Sequence, residues 1–377
     1  MINKERLTKR FIRLAEIDSP SRKEKAVSEV LVKELEALGA DIQFDNAYEA
    51  CGSDVGNLLA TLPGTVDLPP MLLSGHMDTV TPGEGVKVAF DGETFRSEGE
   101  TVLGGDDKSA LAIILEVLES LKEKSLPMPP VEIVFTVCEE VGLLGAKAFD
   151  SDKLKSKMGY ILDSQNTEAV VTNAPYAIRY EVKVNGLSAH AGMQPEKGVS
   201  AISVASDAIT RIRCGRIDFE TTCNIGQIYG GAATNIVPDE VTIVGEARSH
   251  SKEKLDAVVT NIRDAFDEAV TRAGVDGVPS YEMTVDEDFP GTSVPHDHEV
   301  VTLAQEAGQS LGRTIVPERA GGGSDANVFF GKGIMAGVLG TGMTDVHTTS
   351  ESITLSDMNA TAELLYTILT RYAEKGA

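Results

Sequence analysis

The chain has 377 residues, more than one hydrophobic core usually serves, and its 42% hydrophobic and 24% charged content is that of a soluble globular protein with two domains. Its 34 basic and 58 acidic residues leave a net charge of −24, which argues against nucleic acid or an anionic membrane as a partner, since both need clustered Lys and Arg. No run of about 18 apolar residues occurs, so no membrane-spanning helix is expected, and four scattered cysteines (Cys51, Cys138, Cys214, Cys223) without a C-x-x-C pair predict free thiols in a reduced, cytoplasmic protein.

The first residues are basic but lack an apolar signal core. Leu7, Phe11, Ile12 and Leu14 share one face, predicting a helix over 4–16. Asp18-Ser19-Pro20-Ser21 breaks it, and Ser19 or Ser21 is placed to cap a second helix at about 22–38, where Val27, Leu31, Leu35 and Leu38 recur at helical spacing. A strand over 57–62 ends at Pro63-Gly64. MLLSGHMDTV (71–80) then ends an apolar strand in a small turn and presents His76 and Asp78 one residue apart, as open α/β sheets do when they build a site.

Residues 85–104 read as a hairpin or irregular loop, followed by LGGDDKSALA and a helix over about 109–124 with Ile114, Val117, Leu118 and Leu121 on one face. Asp106 and Asp107 therefore sit at a helix amino terminus, where free N–H groups favour the ionised carboxylate. VEIVFTV (131–137) is a β-branched run of the kind found in buried parallel strands; it ends in Cys138-Glu139-Glu140, and a helix around 143–149 follows. GYILDSQ (159–165) again places an acid, Asp163, at the end of an apolar strand.

From about residue 176 the character changes. Residues 178–184 alternate as a half-exposed antiparallel strand does, followed by a helical stretch (199–213), two strands (222–229 and 240–248), a strongly amphipathic helix (252–273) and a last strand (280–285). This β-α-β-β-α-β order predicts a ferredoxin-like α+β domain over 176–287, inserted into an α/β domain of residues 1–175 and 288–377. In the latter, helix 298–311, a strand near 313–317, a GGGSD turn, strand 334–339 and helix 355–374 complete a mixed sheet between helices.

His76 and Asp78, Asp106, Glu139 and Glu140, Asp163, and His347 in TDVHTTSE after the last apolar strand are then the groups at sheet ends that carry acid or imidazole. One imidazole and a few carboxylates per ion, with one carboxylate shared, is the ligand set of a two-metal hydrolytic site; zinc suits it best, with manganese or cobalt able to use the same groups. If strand geometry persists, Glu139 and Glu140 point to opposite sides, one to ligate and one to act as general base. Cys138 is expected to pack rather than to act as nucleophile, the GGGSD turn lacks the Lys of a phosphate loop, and Ser324 lacks a G-x-S-x-G frame. His250, His296 and His298 are expected at the surface or at caps.

SGHMDTV, GGDDKSALA, VFTVCEEVGLLGA, ILDS, GLSAHAGMQPEKGVSA and VHTTSE, in this order, make the chain similar to the M20 metallopeptidases, most closely their peptidase T-like (tripeptide aminopeptidase-like) branch. The resemblance implies that Asp106 bridges two metal ions, that His76 and Asp163 complete one site and Glu140 and His347 the other, and that Glu139 is the general base. It further implies that Asp78 orients His76, that His190 stabilises the oxyanion from a partner subunit, and that Asn235, Arg248, Gly322 and Gly323 hold substrate. Arg248 is equally an ion-paired strand residue, and Asn235 a turn former. The inserted domain resembles the family's lid and dimerisation domain, giving a homodimer. Asp rather than Glu at position 163 favours a small peptide with a free α-amino group, cleaved by an aminopeptidase. Two alternatives stand beside this: a deacylase or carboxypeptidase on N-acylated amino acids, and a non-catalytic dimeric binding homologue.

Overall fold

The computed structural model of the chain describes residues 2–274 and 277–376. They form two compact units, Met1–Asn173 with Thr292–Ala377, and Ala174–Gly291.

In the first unit, the apolar runs Met71–His76 and Val131–Thr136 are buried at every position, as strands covered on both faces must be. They lie inside a mixed sheet whose order is Asp41–Phe44, Leu58–Leu62, Val131–Thr136, Met71–His76, Met158–Ser164, Met335–Gly340, Ala169–Ala174 and Thr292–Ser293, with Val316–Arg319 also pairing with Ala169–Ala174. The four strands from Val131–Thr136 to Met335–Gly340 run parallel, so their carboxyl ends share one edge.

Alternation along these strands divides the core. Leu73, Ile133 and Tyr160 join side chains of helices Lys4–Ala15, Lys25–Leu38, Gly105–Glu123, Glu299–Ser310 and Leu355–Glu374; Leu72, Val134 and Ile161 join Phe149, Ala326 and Phe329 in a second cluster. Helix Gly105–Glu123 is buried along most of its length, and its Glu116 is fully buried. That carboxylate is compensated by Arg6 at 2.6 Å and Arg10 at 3.1 Å, with Asn3 N and Ser120 Oγ donating to it at 3.0 and 2.8 Å.

The structure departs from the sequence expectation at several joints. Neither Ser19 nor Ser21 caps helix Lys25–Leu38, whose N-cap is Glu24 without a side-chain cap. Ser19 Oγ instead donates to Met77 O at 2.8 Å and Ser21 Oγ to Asp78 Oδ2 at 2.6 Å, so this break in the chain is drawn to the end of the His76 strand. The hairpin expected in 85–104 is there, Val88–Phe90 and Thr94–Ser97, but it is joined by a third strand, Ser352–Thr354, that was not expected. From the last residue of GGGSD a short helix, Asp325–Gly331, runs where only a turn was expected. Ser324 and Asn327 form a capping box there, with Ser324 N donating to Asn327 Oδ1 at 3.0 Å.

The second unit has the order Gly215–Arg216, Thr221–Gly230, Glu240–Ser249, Tyr176–Asn185, Ser280–Phe289, antiparallel throughout. Helices Ala201–Ile209 and Lys252–Ala273 supply Val204, Ala205, Leu255, Ile262 and Phe266 to a core with Tyr180, Val182, Val184 and Ile243. The first helix is shorter than the 199–213 expectation: Ser200 caps its start, accepting from Ser203 N, and it ends at Ile209 with Thr210 as its C-cap. Among the described residues no helix is long and apolar enough to cross a membrane.

Candidate active site

The parallel strand ends determine what meets at the sheet edge. His76 is the last residue of its strand and lies in register with Thr136, so the chain leaving Thr136 brings Glu139 and Glu140 alongside. Asp163 is near the end of Met158–Ser164, and His347 lies in the loop between Met335–Gly340 and Ser352–Thr354. Asp106 and Asp107 open helix Gly105–Glu123 with non-helical dihedral angles, so regular helix begins only at Lys108.

Asp106 stands between two imidazoles. His76 Nε2 is 3.0 Å from its Oδ1 and His347 Nε2 is 3.2 Å from its Oδ2, while His347 Nε2 is also 3.1 Å from Glu140 Oε2. One ligand atom each from His76, Asp106 and Glu140 lies within 4.8 Å of the others. His76 and Asp106 are buried and His347 is exposed.

The ring of His76 is oriented from behind. Its Nδ1 is 2.9 Å from the main-chain oxygen of Asp78 and 3.5 Å from Asp78 Oδ1. A carbonyl only accepts, so Nδ1 carries a proton, and in the neutral ring Nε2 turns a lone pair towards Asp106. Two acceptors 3.0 Å apart need a proton or a cation between them.

The titration of the cluster follows from that. Burial pulls the His76 pKa down, but the hydrogen bonds to Asp106 and Asp78 outweigh it and raise the pKa well above the usual value. For Asp106 burial works upward, yet His347 and His76 hold it below the carboxylate range. Hydrogen bonds to Asp106 and Glu140 push His347 up to about 10. Burial, then the charge of Asp106, pushes Asp163 up to about 8; burial raises Glu140 and, with Asp163 and Asp325 adding to it, raises Glu139 well above the usual range. Glu140 Oε1 is buried and has no hydrogen-bond partner among the described residues. This is a nitrogen and oxygen donor set whose mutual repulsion a divalent cation would relieve, so the residues fit such ions.

Glu139 and Glu140 are separated by a different device from strand alternation. The strand ends at Thr136, and Cys138 has a left-handed φ of 54°. What holds the two acids is Asp78: its Oδ1 accepts from Glu139 N at 3.0 Å and its Oδ2 from Glu140 N at 3.2 Å. Cys138 itself is buried, with its N–H and thiol donating to Glu24 Oε1, and burial raises its pKa far above that of a reactive thiol.

Asp107, expected only at the helix start, and two groups with no expected role, Asp325 and Glu351, also support the site. Asp107 Oδ2 accepts from His76 N at 3.2 Å, and a Cβ on Gly75 would come within 2.7 Å of that oxygen, which explains the glycine before the histidine. Asp325 is buried and accepts from Thr136 Oγ1. Glu351 binds the main chain at Gly104 and Asp106.

The other expected residues lie in the second unit or at the GGGSD loop. His190 is exposed; its Nδ1 accepts from Gly192 N at 3.2 Å and Met193 N at 3.1 Å, leaving the ring proton on Nε2. Asn235 is its close neighbour, since Ala191 N donates to Asn235 O at 2.9 Å. Arg248 is ion-paired with Glu246 at 3.1 Å and lies over the Phe289 ring. Gly322 and Gly323 are partly buried ahead of the Ser324 cap. Of the remaining histidines, His298 caps helix Glu299–Ser310 and His296 is exposed.

The model of peptidase family M20/M25/M40 matches residues 72–371. The protein YqjE of Bacillus subtilis is 39% identical over 375 residues, covering 99% of this chain and 100% of the relative. Among solved structures, aminopeptidase PepT from Bacillus cereus is similar at 40% identity and a TM-score of 0.91, with 99% of each chain covered. A tripeptidase from Staphylococcus aureus is similar at 37% identity and a TM-score of 0.93, covering 99% of this chain and 100% of its own.

Proposed function

Because the chain belongs to peptidase family M20/M25/M40, we propose that it is a two-metal aminopeptidase that releases the amino-terminal residue of tripeptides. The observation that carries this reading is the convergence of His76, Asp106, Glu140 and His347, with Glu139 beside them, in a chain similar over its whole length to an aminopeptidase and a tripeptidase. Asp106 would be shared between the ions, His76 and Asp163 serving one and Glu140 and His347 the other; zinc is the ion we assign, since mixed nitrogen and oxygen ligands suit it. Such ions, when bound, polarise the scissile carbonyl and lower the pKa of water.

The chain's own groups do the rest. Glu139 takes the proton of the attacking water and returns it to the leaving amine. Asp78 holds Glu139 in place through its main-chain N–H. In the proposed dimer His190 of one copy donates its Nε2 proton to the oxyanion in the site of the other, and Asn235, Arg248, Gly322 and Gly323 are assigned to holding the peptide. The second unit is assigned the lid and the pairing with a second copy, supported by exposed Leu187, Ile202, Ile228 and Tyr229 on its surface. A reducing, cytoplasmic setting suits the free cysteines.

The test is mass-spectrometric product analysis with the zinc-loaded protein on a dipeptide, a tripeptide, a tetrapeptide and tripeptides with the amine acetylated or the carboxylate amidated. Release of the first residue from the free tripeptide, lost on acetylation, is the expected outcome. Cleavage of the acetylated peptide alone would move the enzyme to the deacylases.

A further inference from the structure

Two ligand-bearing segments about 240 residues apart in the chain must be held at a separation of about 3 Å. Neither is held by a sheet ladder at the ligand itself. Asp106 precedes the first regular turn of its helix, and His347 sits at a left-handed φ of 62° in an exposed loop. The loop is closed on itself at its base, where Thr344 and Ser352 exchange main-chain hydrogen bonds and Glu351 N donates to Thr348 O.

One side chain joins the two segments. Glu351 is 2% exposed; its Oε2 accepts from Gly104 N at 2.8 Å and its Oε1 from Asp106 N at 2.9 Å. These are main-chain donors of a helix amino terminus, which have no partner within the helix, and a carboxylate is their best acceptor. The seat is tight, since a Cβ on Gly105 would come to 3.0 Å from Oε1.

We infer that Glu351 is a positioning residue, fastening the loop that carries His347 to the segment that carries Asp106 and so setting the spacing between those two ligands. The inference rests on the two-metal reading above. Glu351 touches neither substrate nor ion in this role; it acts through the Asp106 main chain and the loop.

The test uses the full-length protein, freed of metal by chelation, as wild type, Glu351→Gln, His347→Ala and the double variant. Each is titrated with cobalt(II), followed by its visible spectrum and by calorimetry, and each metal-free form is melted. Glutamine keeps one acceptor, so Glu351→Gln is expected to fold, to bind cobalt(II) about 10- to 100-fold more weakly at one of its two sites and to alter the spectrum. The loss is expected to be smaller in the His347→Ala background, because both changes act on one pair of ligands.

Two wild-type affinities and an unchanged spectrum in Glu351→Gln would overturn the inference, as would losses that simply add in the double variant. If Glu351→Gln fails to fold, Glu351→Asp, which keeps the charge but shortens the reach, is read by the same two criteria. A wild-type protein that takes up no cobalt(II) would overturn the two-metal reading as well, so the two failures are told apart.

Discussion

Asp78→Asn is the substitution that most sharply separates two accounts of this site. In one, the carboxylate, whose Oδ1 is 3.5 Å from His76 Nδ1, orients the ring; in the other, the nearer main-chain oxygen of Asp78, 2.9 Å from Nδ1 and retained by asparagine, suffices. The carboxylate is occupied with Ser21 Oγ, Glu139 N and Glu140 N at 2.6, 3.0 and 3.2 Å. Asparagine offers one acceptor oxygen in place of two, and while the Ser21 hydroxyl can rotate to accept, one buried main-chain N–H is left without an acceptor. That costs about 1–3 kcal/mol, or about 5- to 150-fold in an equilibrium or rate constant. Because the stranded N–H belongs to Glu139 or Glu140, the loss is expected mainly in kcat, with metal affinity changed by less than about tenfold. Steady-state kinetics at saturating zinc, with zinc affinity measured by competition against a chromogenic chelator, resolves the two. Wild-type kcat at saturating metal with affinity down more than about 100-fold would refute the reasoning and return the carboxylate to His76.

Glu139→Gln is expected to keep its metal content while kcat falls by about 10²- to 10⁴-fold, measured by elemental analysis beside tripeptide turnover; a variant that loses metal yet works on re-addition would reverse its role with that of a ligand. Glu116→Ala removes the acceptor shared by partly buried Arg6 and buried Arg10, which keep Glu34, Glu119 and Glu123 as partners, and is expected to cost about 1–3 kcal/mol in denaturant unfolding, with activity at saturating zinc unchanged. Burial raises Asp325 to about 6 against the lowering effect of the Thr136 hydroxyl. The folded chain therefore binds this proton more tightly than the unfolded one, and in the metal-free protein the stability contributed by Asp325 is lost as pH rises from about 4 to about 6. Asp325→Asn should lack this component, and identical pH–stability curves for the two proteins would count against it.

What could be read in the sequence was what depends on local pattern. Helices Lys252–Ala273 and Leu355–Glu374 match their expected spans because an amphipathic period and a capping residue, Ser251 or Thr354, mark their starts. The β-branched run before Cys138 forced a buried strand, and buried parallel strands bring their carboxyl ends, with His76, Glu139, Glu140 and Asp163, to one edge. The gathering of acids and imidazoles was thus foreseeable from residue type and position alone.

How each of them is held was not foreseeable. Ser21 lies 57 residues from Asp78 and had a local task, helix capping, that it does not perform. The left-handed Cys138 ends strand alternation before Glu139, so a side chain 61 residues away orients what periodicity no longer can. Glu351 reaches Asp106 across 245 residues of chain. A sequence states the donor and acceptor capacity of such groups but not their partners, because a buried polar atom takes whichever partner the packed chain brings within about 3 Å. The chemistry of the site was therefore written in the sequence, and its alignment was decided only when distant segments packed together.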